Sequence, residues 1–253
     1  MRYPDAMFAP SSWIWALVVS PFIGSFLGVL ITRARTPRTI LWTRSVCDDC
    51  GHTLGPIDLV PLASWAAAGG RCRYCRIRIG WFYPGIELAA LAVAAWSALL
   101  ASGWLIWASC ALGWTLLALA AIDWREFRLP DFLTLPLILG GLFVSWFADT
   151  ASLLNSVIGA AAGYLFVVAV RWIYQRIRGR EGMGLGDAKL LAAGGAWVAW
   201  IGLPSVVLIA AVTALVVTLV RARGTKLRSD EQVPFGTYLS VGIWLVWLYG
   251  PLI

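Results

Sequence analysis

Apolar residues along this chain gather into long runs at about 11–32, 82–101, 104–122, 132–148, 153–170, 188–203, 204–220 and 234–253, each near the ~20 residues an α-helix needs to cross a bilayer. The pattern predicts an all-α polytopic membrane protein with about eight transmembrane helices. The weakest division lies at Gly202, Leu203 and Pro204, where one helix kinked by proline is the alternative. The length of 188–220 favours two crossings. The first run is too long for a removable signal peptide, has only Arg2 ahead of it and is followed by no clear small-residue cleavage site, so it is expected to stay. One sizeable hydrophilic segment, 33–81, separates the first two runs. Three parts are therefore expected: a first transmembrane helix (1–32), a cysteine-rich loop (33–81) and a seven-helix core (82–253).

Composition supports lipid as the solvent. Hydrophobic residues make up 60% of the chain and charged residues 13%, against roughly 25% charged in a soluble domain. The formal charge of +7 suits either nucleic acid or an anionic membrane surface. No nucleic-acid-reading motif is present, and basic residues beside apolar runs favour the bilayer. With eight spans and an outside start, Arg33, Arg35, Arg38, Arg44, Arg71, Arg73, Arg76, Arg78, Arg125, Arg128, Arg171, Arg176, Arg178, Arg180, Lys189, Arg221, Arg223, Lys226 and Arg228 all fall inside, leaving only Arg2 outside. Both termini are therefore expected outside.

The hydrophilic loop carries Cys47-Asp48-Asp49-Cys50 and Cys72-Arg73-Tyr74-Cys75. A C-x-x-C turn aims two thiolates at one centre, and two such turns about 20 residues apart give the four-ligand zinc pattern. Structural zinc is expected at Cys47, Cys50, Cys72 and Cys75, with a redox or disulfide role as the alternative. Arg71, Arg73 and Arg76 would offset the negative charge of a four-thiolate centre, and a loop with little apolar core needs such a staple. Cys110, inside a span, reads as packing, and His52, the sole histidine, as structural.

Ionisable residues at the membrane edge are functional candidates. Asp123 follows the apolar Ala120-Ala121-Ile122. Asp187 follows Glu181-Gly182-Met183-Gly184-Leu185-Gly186, whose glycines let the backbone bend and a substrate approach. Asp187 should also lie near a helix N-terminus, which favours negative charge. Two carboxylates within a few ångströms do not both ionise and come to share a proton. Such a pair can activate water against a peptide carbonyl. The alternative from position alone is that Asp187 is only a helix cap and Asp123 only an interfacial anchor.

These segments resemble the prepilin leader peptidases, membrane aspartic peptidases with a Gly-x-Gly-Asp motif. The similarity runs through Gly24-Ser25-Phe26-Leu27, Arg44 through Cys75 with Pro61, Ser64 and Trp65, and Tyr83-Pro84 through Glu87-Leu88. It continues through Asp123 to Leu129-Pro130-Asp131, Glu181 to Lys189, and Val233-Pro234-Phe235-Gly236. The resemblance implies that Asp123 and Asp187 are catalytic and that prepilins or pseudopilins are cleaved after a short basic leader ending in Gly. It also implies N-methylation of the new terminus from S-adenosylmethionine. The implied setting is the bacterial inner membrane, with periplasmic termini and a cytoplasm-facing site.

Asp131 reads as a helix start or support and Lys189 as a cytoplasmic anchor. Glu87 reads equally as a substrate contact or a structural polar partner. Asp48, Gly28 and Thr237 depart from the family's usual Pro, Asn and Pro. None of the three is expected to touch the Asp pair or the thiolates. Two rivals are a non-catalytic assembly factor docking through its zinc loop and a presenilin-type general intramembrane protease.

Overall fold

The computed structural model describes residues 12–35, 44–148, 152–179, 184–222 and 233–252. Arg2, Arg38, Arg180, Glu181, Gly182, Met183, Arg223, Lys226 and Arg228 lie outside the described residues, as do both ends of the chain. The described chain is helical, as expected. Long helices are α1 (Ser12–Thr32), α3 (Phe82–Leu100), α4 (Leu105–Glu126), α5 (Asp131–Ala148), α6 (Leu153–Arg178), α7 (Leu185–Ala222) and α8 (Phe235–Tyr249). A five-residue α2 (Ala63–Ala67) lies in the cysteine loop. Five helices, α1, α3, α4, α6 and α7, are long and apolar enough to cross a membrane, and α5 and α8 are shorter apolar helices. Large apolar side chains such as Leu99, Leu139, Trp146, Leu165 and Leu215 stand exposed on them, as expected of surfaces solvated by lipid.

The chain forms two compact units, Met1–Ala118 and Leu119–Ile253. In the first, α1 packs on α3 through small residues. A Cβ on Gly24 would lie 2.6 Å from the Glu87 Cα, and one on Gly28 would lie 2.9 Å from the Tyr83 ring. Such close approach suits helix pairing in lipid, where dispersion replaces the hydrophobic drive. The Trp114 indole N–H donates to the Ala90 carbonyl at 3.0 Å.

In the second unit α6, α7 and α8 pack in sequence, with α5 against α7. Gly159 and Gly163, four apart on α6, abut Gly195 and the Leu191 carbonyl of α7. The Trp197 indole N–H donates to the Leu137 carbonyl of α5 at 2.8 Å. The 38-residue α7 is broken at Ala199, whose φ of 57° and ψ of 179° are non-helical. A straight helix would hold Asp187 and Arg221 about 50 Å apart. Both instead meet the C-terminal end of α4. The Arg221 guanidinium lies 4.4 Å from the Trp124 ring centroid, and Asp187 is near enough to Asp123 to feel its charge. Gly202 faces Val246 and Gly242 faces the Val206 carbonyl, so the second half of α7 runs antiparallel to α8. The stretch therefore doubles back, in keeping with two segments rather than one kinked helix. The break sits at Ala199, not at Gly202–Pro204 as expected. Proline clashes with the carbonyl four residues earlier, here Trp200, so the distortion arises upstream of Pro204.

Candidate active site and cysteine cluster

Helix α4 ends just beyond Asp123 because Phe127 adopts a left-handed φ of 53°, a conformation that stops a helix and turns the chain. The Phe127 N–H closes the end by donating to the Asp123 carbonyl at 2.9 Å. Phe127 is not glycine, so this turn carries strain, which tends to gather at functional segments. The reversal brings Leu129 under two helix starts. A Cβ on Gly186 would lie 3.0 Å from the Leu129 Cβ, and one on Gly236 would lie 2.8 Å from the Leu129 Cδ1. The same Cβ on Gly236 would lie 3.1 Å from the Asp123 carboxyl carbon. Glycine at 186 and 236 thus lets the starts of α7 and α8 close on the Asp123 segment.

Asp123 is buried, 5% exposed, so its carboxyl needs partners. The Thr237 N–H donates to Asp123 Oδ2 at 2.8 Å, and the Gly236 N–H also bonds the carboxylate. The Thr237 hydroxyl lies 3.2 Å from Oδ2 and 3.0 Å from the Ala120 carbonyl. These N–H groups belong to the first turn of α8, which has no intrahelical acceptor for them. Asp123 therefore caps a helix far from it in sequence. This corrects the expectation that Thr237 would stand clear of the Asp pair. A helix starting after a proline has free N–H groups that must find an acceptor, which was the sequence signal.

Asp187 lies in the first turn of α7, as expected, and is half-buried. Its Oδ2 accepts from the Gly184 N–H at 3.3 Å. Asp123 and Asp187 are thus brought together, separated by 64 positions in sequence, at converging helix ends. Asp131 heads α5 and pairs with Lys189 at 2.6 Å, linking the two aspartate segments. Glu87 is elsewhere, in the first unit. Its carboxylate is buried and accepts from the Leu62 N–H at 2.8 Å and from Ser25, the structural partnership rather than a free substrate contact.

The four loop cysteines also come together, their sulfur atoms all within 4.8 Å of one another and Cys47 Sγ 3.9 Å from Cys75 Sγ. A tetrahedral zinc with ~2.3 Å bonds needs sulfurs about 3.8 Å apart, so the cluster fits a metal. Each knuckle repeats one plan. Gly51 and Arg76, just after the second cysteines, have φ of 67° and 63°. Antiparallel bridges Val46–Thr53 and Arg71–Arg78 close the two turns. Backbone N–H groups of Cys75 and Tyr74 bring the Cys72 thiol down to about 7. At Cys75 the Ile77 N–H acts downward, but burial and neighbouring sulfurs push the thiol up to about 12. Four adjacent thiolates repel unless a cation sits among them. His52 packs on Tyr74 with ring centroids 3.6 Å apart and planes tilted by 31°, and Tyr74 donates to Asp58 at 3.2 Å, which supports a structural role for the histidine.

A multi-span helical chain with paired acids at helix ends and a four-cysteine loop defines a class of membrane protein, and two family models match it. The type IV leader peptidase family model matches residues 110–219, and the bacterial Peptidase A24 N-terminal domain matches residues 18–101. The prepilin leader peptidase/N-methyltransferase of Burkholderia pseudomallei is 42% identical over 254 residues, covering 90% of this chain and 82% of that protein. The protein of the same name from Aeromonas hydrophila is 36% identical over 266 residues, covering 94% and 92%. That from Pseudomonas aeruginosa is 38% identical over 207 residues, covering 81% and 71%. No solved structure matches. The chain belongs to the type IV leader peptidase family.

Proposed function

We propose that this chain cleaves the leader from type IV prepilins or pseudopilins and N-methylates the residue exposed. The observation that carries the cleavage reading is the meeting of Asp123 and Asp187 at helix ends joined through Leu129. One carboxylate, ionised, takes a proton from water as the water oxygen bonds to the scissile carbonyl carbon. The other, protonated, gives its proton to the carbonyl oxygen. Collapse of the tetrahedral intermediate returns that proton to the dyad, breaks the C–N bond and delivers a proton to the departing amine. Leader carboxylate and pilin amine result. No histidine is needed, in keeping with His52 lying in the cysteine loop.

The methyl donor would be S-adenosylmethionine, which supplies an electrophilic methyl group to the amine. The described residues form no strand–loop–helix nucleotide cradle, so this geometry yields no step through the donor. Zinc bound by Cys47, Cys50, Cys72 and Cys75 would be structural, because four protein thiolates leave no open position. The setting proposed is the bacterial cytoplasmic membrane, with termini periplasmic and the dyad facing the cytoplasm. Its support is the basic residues near the dyad, Arg125, Arg128, Lys189 and Arg221.

The test incubates purified protein in detergent with a prepilin, with unrelated membrane helices lacking a Gly-ended basic leader, and with methyl-labelled S-adenosylmethionine. Leader release from prepilin alone and label on the mature N-terminus are expected. Equal cleavage of the unrelated helices would favour a general intramembrane protease. No cleavage of any prepilin would favour an assembly factor.

A further inference from the structure

The two aspartates are held differently. Among the described residues, half-buried Asp187 accepts one long hydrogen bond, from the Gly184 N–H at its own helix start, at 3.3 Å. Asp123 is buried and gathers the Thr237 N–H, the Gly236 N–H and the Thr237 hydroxyl. The donors at Asp123 are the leading groups of α8, the positive end of a helix dipole, which favours a negative charge there. Bonds to a charged acceptor are about twice as strong as neutral ones. The Thr237 hydroxyl also reaches the Ala120 carbonyl, one turn before Asp123 on α4. One side chain therefore holds both the backbone and the carboxylate of the same helix end, a three-centre arrangement.

We propose that Thr237 is a positioning residue that locks Asp123 as the ionised, water-activating member of the pair and leaves Asp187 to carry the shared proton. This rests on the dyad reading above. Substrate need not touch Thr237; its hydroxyl fixes which way the Asp123 carboxylate faces. Loss of that bond lets the carboxylate turn away from the attack geometry, and misplacement by an ångström costs up to ~100-fold in rate. Binding of the leader is not affected, so the cost falls on kcat.

The experiment measures kcat and KM for leader cleavage by the full chain in detergent, for wild type, Thr237→Val, Thr237→Ser and Asp123→Asn. Thr237→Val keeps the branched shape and the backbone N–H but removes the hydroxyl. The expected result is a fall in kcat of about tenfold or more with KM within about twofold, from the loss of one charge-assisted bond. Thr237→Ser should recover most of kcat, and Asp123→Asn should be inactive. If Thr237→Val melts well below wild type, Thr237→Ala is measured in its place. Wild-type kcat in Thr237→Val or Thr237→Ala, with Asp123→Asn inactive, overturns the positioning role and leaves the dyad standing. Equal losses in the Ser and Val variants overturn it as well. Wild-type cleavage by Asp123→Asn overturns the dyad itself, and the proposal with it.

Discussion

Gly236 touches two groups that have to be close, the Asp123 carboxyl and the Leu129 side chain. A methyl at 236 would stand 3.1 Å from the Asp123 carboxyl carbon and 2.8 Å from the Leu129 Cδ1. Neither can retreat freely, since Leu129 is also pressed by Gly186 and Asp123 is buried. Gly236→Ala is therefore expected to lower leader cleavage by about tenfold or more through displacement of Asp123. Gly85→Ala, on an exposed turn of α3 with open space around the new methyl, should cleave as wild type and gain up to ~1 kcal/mol of helix propensity. Comparing the two cleavage rates at matched protein amounts checks the prediction. Sequence reasoning reached Asp123 and Asp187 because a carboxylate beside an apolar run is costly and conspicuous. Thr237 was noted only as a departure from the family's usual Pro and expected to stand clear of the pair, because a hydroxyl residue in a helix start looks ordinary until the helix end it faces is known.

Glu87 shows how one helix residue anchors a loop. Its buried carboxylate takes the N–H of Leu62, a residue with a left-handed φ of 59° at the start of α2. Glu87→Ala leaves that N–H without its acceptor, at a cost of about 1–3 kcal/mol. The expected outcome is faster proteolysis within 44–81, read by mass spectrometry, while helices α5–α8 keep their protection. Unchanged cleavage of the loop would contradict the anchoring role. The Lys189–Asp131 pair is partly exposed and should contribute no more than ~1 kcal/mol, despite its short distance. Hydropathy made α7 legible as two segments, because no single crossing is so long. It placed the break at the proline itself. The correction of a few residues follows from where a proline ring clashes, which is one turn back along the helix.

At the scale of the whole chain, the apolar helices and the cysteine cluster were the most readable features, since both follow from linear patterns in the sequence. The family resemblance implied that the segments at 123 and 187 meet, but the arrival of the α8 start at 237 on Asp123 was not legible, because nothing local records which helix ends converge. If the cysteine cluster holds zinc, purified protein should contain about one zinc per chain, and Cys72→Ser should lose most of it. The loop should then become protease-sensitive, as chelation uncouples a metal-stapled segment. Metal analysis of protein purified under reducing conditions without chelator decides this, and absence of metal would contradict it. The proposed cleavage requires the two acids to act as one unit. The most direct measurement is leader release from a prepilin by wild type, Asp123→Ala and Asp187→Ala at equal concentrations in detergent. Either replacement alone is predicted to abolish release while the protein stays folded. Release at the wild-type rate by both variants would contradict it.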